Sequence, residues 1–140
     1  KLFEKKLYKK EHLLLAVPRD FEINKKMQEF QISLTDIKSL KFLDPSIPSV
    51  PLETFSKEPF ILMKPDNDTR KRAMKICRSF GFTPRIVWEL DQQMTSYNVT
   101  SSGLGISFLG DTLVSMVPEN SHVVYYKLPL DISERGLYFN

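Results

Sequence analysis

The chain is poor in the residues on which several classes of protein depend. Its single cysteine, Cys77, excludes an intramolecular disulfide and any cysteine-rich metal centre. Five glycines against nine prolines argue against a glycine-rich phosphate loop, and Gly103-Leu104-Gly105 lacks the third glycine of a dinucleotide fingerprint. The longest apolar run, Leu13 to Val17, is strand-sized and far short of the roughly 20 residues that a membrane helix needs. No segment has the charged, apolar and small-residue order of a secretory signal peptide. Catalytic spacings are missing too: there is no HExxH, GxSxG or Walker pattern, no cysteine–histidine pairing and no spaced acid/base carboxylate pair. His12 and His122 lie in or beside apolar, strand-like segments, where a structurally satisfied histidine is commoner than a general base. No catalytic residue, no metal ligand set and no cofactor are therefore expected.

What is present is an ordinary globular composition, 41% hydrophobic and 26% charged over 140 residues, enough for one domain with a real core. The net charge of +3 is local. Lys1, Lys5, Lys6, Lys9 and Lys10 against Glu4 give +4 over residues 1–10, so residues 11–140 carry −1. A cluster at one end is not a face built for phosphates, and DNA contact by this chain is not expected. The chain opens at Lys1 inside a charged stretch, and so reads as a piece of something longer.

Strands and helices alternate. Residues 12–18 read as a buried strand ended by Pro18, and residues 23–30 as helical or irregular. Residues 42–59, with Pro45, Pro48, Pro51 and Pro59, are mostly connection, with a turn of helix near 52–56. The apolar run Phe60-Ile61-Leu62-Met63 predicts a strand covered on both faces. Asp66-Asn67-Asp68-Thr69 offers N-caps to a helix ending at Phe80, with Gly81 as its stop. Ala73, Ile76, Cys77 and Phe80 form its apolar stripe; Arg70, Lys71, Arg72, Lys75 and Arg78 fill the other face, as a solvated surface or a subunit contact. Cys77 is expected buried and inert. A strand at 83–90, a helix capped by Asp91 and stopped at Gly103, a strand at 105–109, a short helix at 111–116 and strands at 123–128 and 135–140 complete the pattern. Such alternation predicts βαβ units and a mainly parallel sheet.

The junctions 63–69 and 89–95 carry the functional expectation. In an open α/β sheet, ligands bind outside the carboxyl ends of the strands, where helix N-termini offer unpaired N–H groups. Asn67, Thr69, Gln92, Gln93 and Thr95 suit hydrogen bonding there, but also serve as plain helix caps. Asp66, Asp68 and Asp91 would compete with an anion, which leaves the ligand's charge open.

Pro59-Phe60-Ile61-Leu62, Phe80-Gly81-Phe82-Thr83-Pro84, Arg85-Ile86-Val87-Trp88-Glu89-Leu90 and Gly103-Leu104-Gly105-Ile106, in this order and spacing, resemble the C-terminal regulatory domain of LysR-type transcriptional regulators. Glu11 to Pro18 looks like that family's strand leading into the hinge. The resemblance implies an α/β fold like that of type 2 periplasmic binding proteins: two lobes, a cleft between them, and a chain that crosses twice. Residues 1–140 would form an effector-binding fragment, with 18–119 as the second lobe with its hinges, and 1–17 and 120–140 as parts of the first. It implies a cytoplasmic sensor, not an enzyme, that binds a small-molecule effector in the cleft and so modulates a DNA-bound oligomer. DNA contact would fall to an N-terminal winged helix-turn-helix outside this chain. The helix at 68–80 would be this lobe's contribution to head-to-tail pairing. Carried over by position, ligand contacts would come from Asn67, Asp68, Thr69, Gln92, Gln93, Thr95 and Phe108. Gly110 stands where the family usually has proline, which is expected to loosen that turn. The alternative is a solute-binding protein of the periplasmic transport class, which shares the fold.

Overall fold

The computed structural model describes residues 6–139, with side chains from 9 to 136; Lys1, Glu4 and Lys5 of the basic cluster and Asn140 lie outside this range. The first strand, β1 (Lys6–Pro18), is longer than its apolar core suggests and serves two ladders. Its first half pairs antiparallel with β7 (Glu134–Phe139), a ladder that ends at His12↔Glu134. From Leu13 onward it pairs antiparallel with β5 (Ile106–Gly110) on one side and, from Leu14, with β6 (Val123–Lys127) on the other. The main sheet continues outward through β3 (Pro59–Met63) to β4 (Arg85–Leu90), and beyond β6 to the two-residue β2 (Gln31–Ile32).

A mainly parallel sheet was expected, and this is corrected. Among the described residues only β3–β4 and β3–β5 are parallel; β1–β5, β1–β6, β1–β7 and β2–β6 are antiparallel. Helical crossovers connect only β3, β4 and β5, through α2 (Asp68–Ser79) and α3 (Gln93–Ser101). The two long-range strands β1 and β6 owe their direction to where the chain enters and leaves, which local periodicity does not encode.

The helices lie where their apolar stripes send them. Ala73, Ile76 and Cys77 of α2 join one core with Leu13, Leu15, Phe60 and Phe108. On the other face, Tyr97 of α3 and Val114 of α4 (Asp111–Met116) pack with Leu14, Ala16 and Leu109, and with Ile37 of the five-residue α1 (Leu34–Lys38). Burial of each of the leucine, isoleucine, valine and phenylalanine side chains among these stabilises the fold by about 1.5–3 kcal/mol. Both predicted glycine stops are left-handed, Gly81 at φ 82° and Gly103 at φ 88°. Two 3-10 segments, Glu22–Lys26 and Gln28–Phe30, occupy the region read as helical or irregular, and a third, Leu52–Phe55, falls at the turn of helix expected near 52–56. A fourth, Lys41–Leu43, helix α1, and the four-residue α5 (Leu130–Ser133) carry too few apolar repeats to show in the pattern. Among the described residues no helix is long and apolar enough to cross a membrane.

Candidate functional site

The helix after β3 packs on one face of the sheet and the helix after β5 packs on the other. Since β3 and β5 are neighbours, the direction of winding reverses between their carboxyl ends, the kind of switch point at which α/β sheets bind ligands. The N-termini of α2, α3 and α4 all stand at this edge because β3, β4 and β5 are mutually parallel.

Gln93, the first residue of α3, joins the three junctions. Its Nε2 donates to Thr69 Oγ1 on α2 at 3.3 Å, and its Oε1 accepts the Gly110 N–H at the end of β5 at 2.9 Å. Thr69 is buried beneath it. Asn67 is a true N-cap, accepting the Arg70 N–H at 3.2 Å. Asp91 does not cap α3. The extended residue before the helix is Gln92, whose side chain makes no capping bond, and Asp91 pairs instead with Lys64 at 3.2 Å on the surface. Gln92 and Thr95 are exposed at the same edge. Phe108 lies in the core, stacked on Phe60 at 5.9 Å between ring centres. The structure thus brings Thr69, Gln93 and Gly110 into contact, leaves Gln92 and Thr95 free toward solvent, and sets Phe108 beneath them. A shallow hollow of about 470 Å³ opens between Lys64, Asp66, Asn67, Leu90 and Asp91.

Gly110 does not loosen its turn. Its φ of −70° and ψ of 142° are ordinary, and its N–H is bonded to Gln93. What it supplies is space, because the buried Glu11 carboxylate occupies the place where a Cβ would stand.

The residues absent from the sequence expectation are the charged ones where the two ladders of β1 meet. Arg135 donates from Nε to Glu11 Oε1 at 3.0 Å and from Nη1 to Asp68 Oδ2 at 2.9 Å, so Asp68 is tied across to β7. His12, 4% exposed, sits between Asp111 and Glu134. Burial presses its pKa down, but hydrogen bonds to Asp111 and Glu134, with their charges, outweigh that and hold it above the usual 6.5. The Glu134 carboxyl is held below its ordinary value by the His12 hydrogen bond and by Lys10. The hint in the sequence was Glu11-His12 at the mouth of an otherwise apolar run. Cys77 is buried, and desolvation pushes its thiol up to about 12, as expected of an inert residue. His122, in contrast, is exposed. No group of three or more metal-ligating side chains occurs among the described residues.

A family model described as the LysR substrate binding domain matches residues 4–140. The chain is 30% identical over 71 residues to the HTH-type transcriptional regulator XapR of Escherichia coli K12, covering 51% of this chain and 24% of XapR. Among solved structures, the regulatory domain of CcmR from Synechocystis PCC6803, in complex with 2-PG, superposes with a TM-score of 0.70 at 16% identity, covering 96% of this chain and 55% of that one. The effector-binding domain of BenM with benzoate superposes at a TM-score of 0.59 and 20% identity, covering 96% and 52%. The chain thus spans a quarter of the curated relative and about half of the solved domains. XapR is a transcriptional regulator, and the two solved chains are a regulatory domain and an effector-binding domain. With a periplasmic-binding-protein-like fold and a family match over nearly its whole length, the chain belongs to the LysR substrate-binding domain family.

Proposed function

We propose that this chain is the ligand-sensing part of a LysR-type transcriptional regulator, taking a small organic effector against the carboxyl ends of β3, β4 and β5. The observation that carries the reading is the Gln93 amide, which couples all three junctions at the switch point. A ligand that touches one junction is thereby felt at the other two. Residues 18–119 act as one lobe, and 1–17 with 120–140 as parts of the other, each crossing being a strand. β1 changes partners from β7 to β5 and β6 between His12 and Leu13, which puts this crossing inside β1, a few residues before that boundary. The remaining cleft wall belongs to protein beyond this chain.

Gln92 and Thr95 are the contacts we assign to direct ligand recognition, with Asn67, Asp68, Thr69, Gln93 and Phe108 shaping the wall. Arg135 pairs with Asp68 as well as with Glu11, and so offsets part of the repulsion that Asp68 would exert on an anionic ligand. A small organic acid, as benzoate is for BenM, is the class to begin with. DNA contact would come from a winged helix-turn-helix elsewhere in a cytoplasmic, oligomeric protein. Melting the intact protein with a panel of small carboxylates tests this. A bound ligand raises the melting temperature with concentration, and Thr95→Val should remove that rise. A rise undiminished in Thr95→Val and in Gln93→Ala would move the site elsewhere.

A further inference from the structure

Both ring nitrogens of His12 face carboxylate oxygens. Nδ1 lies 3.4 Å from Asp111 Oδ2 and Nε2 lies 3.1 Å from Glu134 Oε2, while the His12 backbone N–H donates to Asp111 Oδ1 at 3.0 Å. An ionised carboxylate only accepts hydrogen bonds, and a neutral imidazole has one donor and one acceptor nitrogen. A neutral ring would therefore set lone pair against lone pair at one end. Only the imidazolium donates at both.

The two carboxylates lie 99 and 122 residues along the chain from His12, on two different elements. Asp111 opens α4, directly after Gly110 at the switch point; Glu134 opens β7, the strand pairing with the first half of β1. The charged groups around the ring are Asp111 from α4, Glu134 from β7, and Lys9 and Lys10 from β1, with Lys10 Nζ 3.5 Å from Glu134 Oε1. Phe42 closes the site edge-on at 6.0 Å. The adjacent Glu11 projects to the opposite face of the strand, where it meets Arg135. A cavity of about 410 Å³, walled further by Leu40, Leu43 and Leu130, opens beside the ring and gives the proton a path to solvent.

We propose that His12 is a proton-operated clasp: charged, it fastens α4 at the ligand edge to β7; neutral, it releases one of the two. The regulatory consequence rests on the sensing role proposed above, because the clasp then sets by pH how firmly the ligand-facing edge is tied to the crossing strands. The geometry also separates this pair from the Glu11–Arg135–Asp68 contacts, which carry no histidine.

The test is ligand-free. In the intact protein, the imidazole resonances assigned by comparison with His12→Gln should titrate above 6.5. Amide protection at residues 134–136, corrected for the intrinsic exchange rate, should fall as the pH rises from 5.5 to 8.5, because the neutral ring holds only one of the two carboxylates. His12→Gln should flatten that dependence. Glu134→Gln, at an exposed position, should lower the His12 titration point without unfolding the protein. A His12 that titrates at or below 6.5, or protection with the same pH dependence in wild type and His12→Gln, would overturn the clasp. Neither readout involves a ligand, so its failure would leave the sensing role standing, and an absent ligand response would leave the clasp standing.

Discussion

The carboxylate of Glu11 fills the space that a side chain on Gly110 would need: a Cβ there would come within 2.6 Å of Glu11 Cδ. Glu11 is buried and held by Arg135, so it does not swing aside freely. Gly110→Ala should therefore destabilise the protein by about 1 kcal/mol. In a Glu11→Ala background the same change should cost nothing. Gly110→Pro should cost a further 1 kcal/mol or so, because it also deletes the N–H that donates to Gln93. Urea unfolding of the four-variant cycle measures this, and equal costs of Gly110→Ala in both backgrounds would remove the steric explanation.

Gln93 and Thr95 should separate in their effects. Gln93→Ala removes two hydrogen bonds that link α2, α3 and β5, and should lower stability by about 1–2 kcal/mol. Thr95 is exposed and makes no such link, so Thr95→Val should stay within about 0.5 kcal/mol of wild type. If Thr95→Val were the more destabilising of the two, the division between positioning and contact residues would be wrong.

Stability should show a maximum set by the His12 cluster. His12 has its folded pKa raised, so its contribution is complete below the unfolded value of 6.5 and is lost as pH climbs through the folded one. Glu134 has its folded pKa lowered, so its contribution is present above 4.5 and is lost as pH falls through the depressed value. Urea midpoints should therefore peak between about pH 4.5 and 6.5 for this pair. His12→Gln should erase the alkaline limb, and a limb of unchanged size in that variant would assign it to other groups.

The outer strand β4 exposes Val87 at 39% and Trp88 at 47%, and its Glu89 pairs with Arg70 of α2. An unpaired edge carrying an exposed tryptophan suits a contact between subunits. Trp88→Glu should shift the intact protein toward smaller species in analytical ultracentrifugation while changing monomer stability little. An unchanged sedimentation profile would place the oligomer contact elsewhere.

Much of the fold was legible because its signals are local. The caps at Asn67 and the stops at Gly81 and Gly103 depend on the conformations of single residues, and the apolar stripe of α2 on a 3.6-residue period. The four-residue run at Phe60 marked a strand covered on both faces. The family resemblance, carried by order and spacing, added the expectation of two lobes and of junctions that face a cleft. Strand direction was not legible: β1 and β6 run antiparallel to their neighbours because of contacts 90 and more residues apart, such as Leu15↔Phe108. The candidate site divides in the same way. Residue type and position at a helix start marked Asn67, Gln93 and Thr95, since those depend on neighbours along the chain. That Gln93 spans to Gly110, that Gly110 is small for the sake of Glu11, and that His12 lies between two carboxylates were decided only when the sheet closed. Each of those contacts joins strands and helices that share no sequence neighbourhood, so no local pattern encodes them.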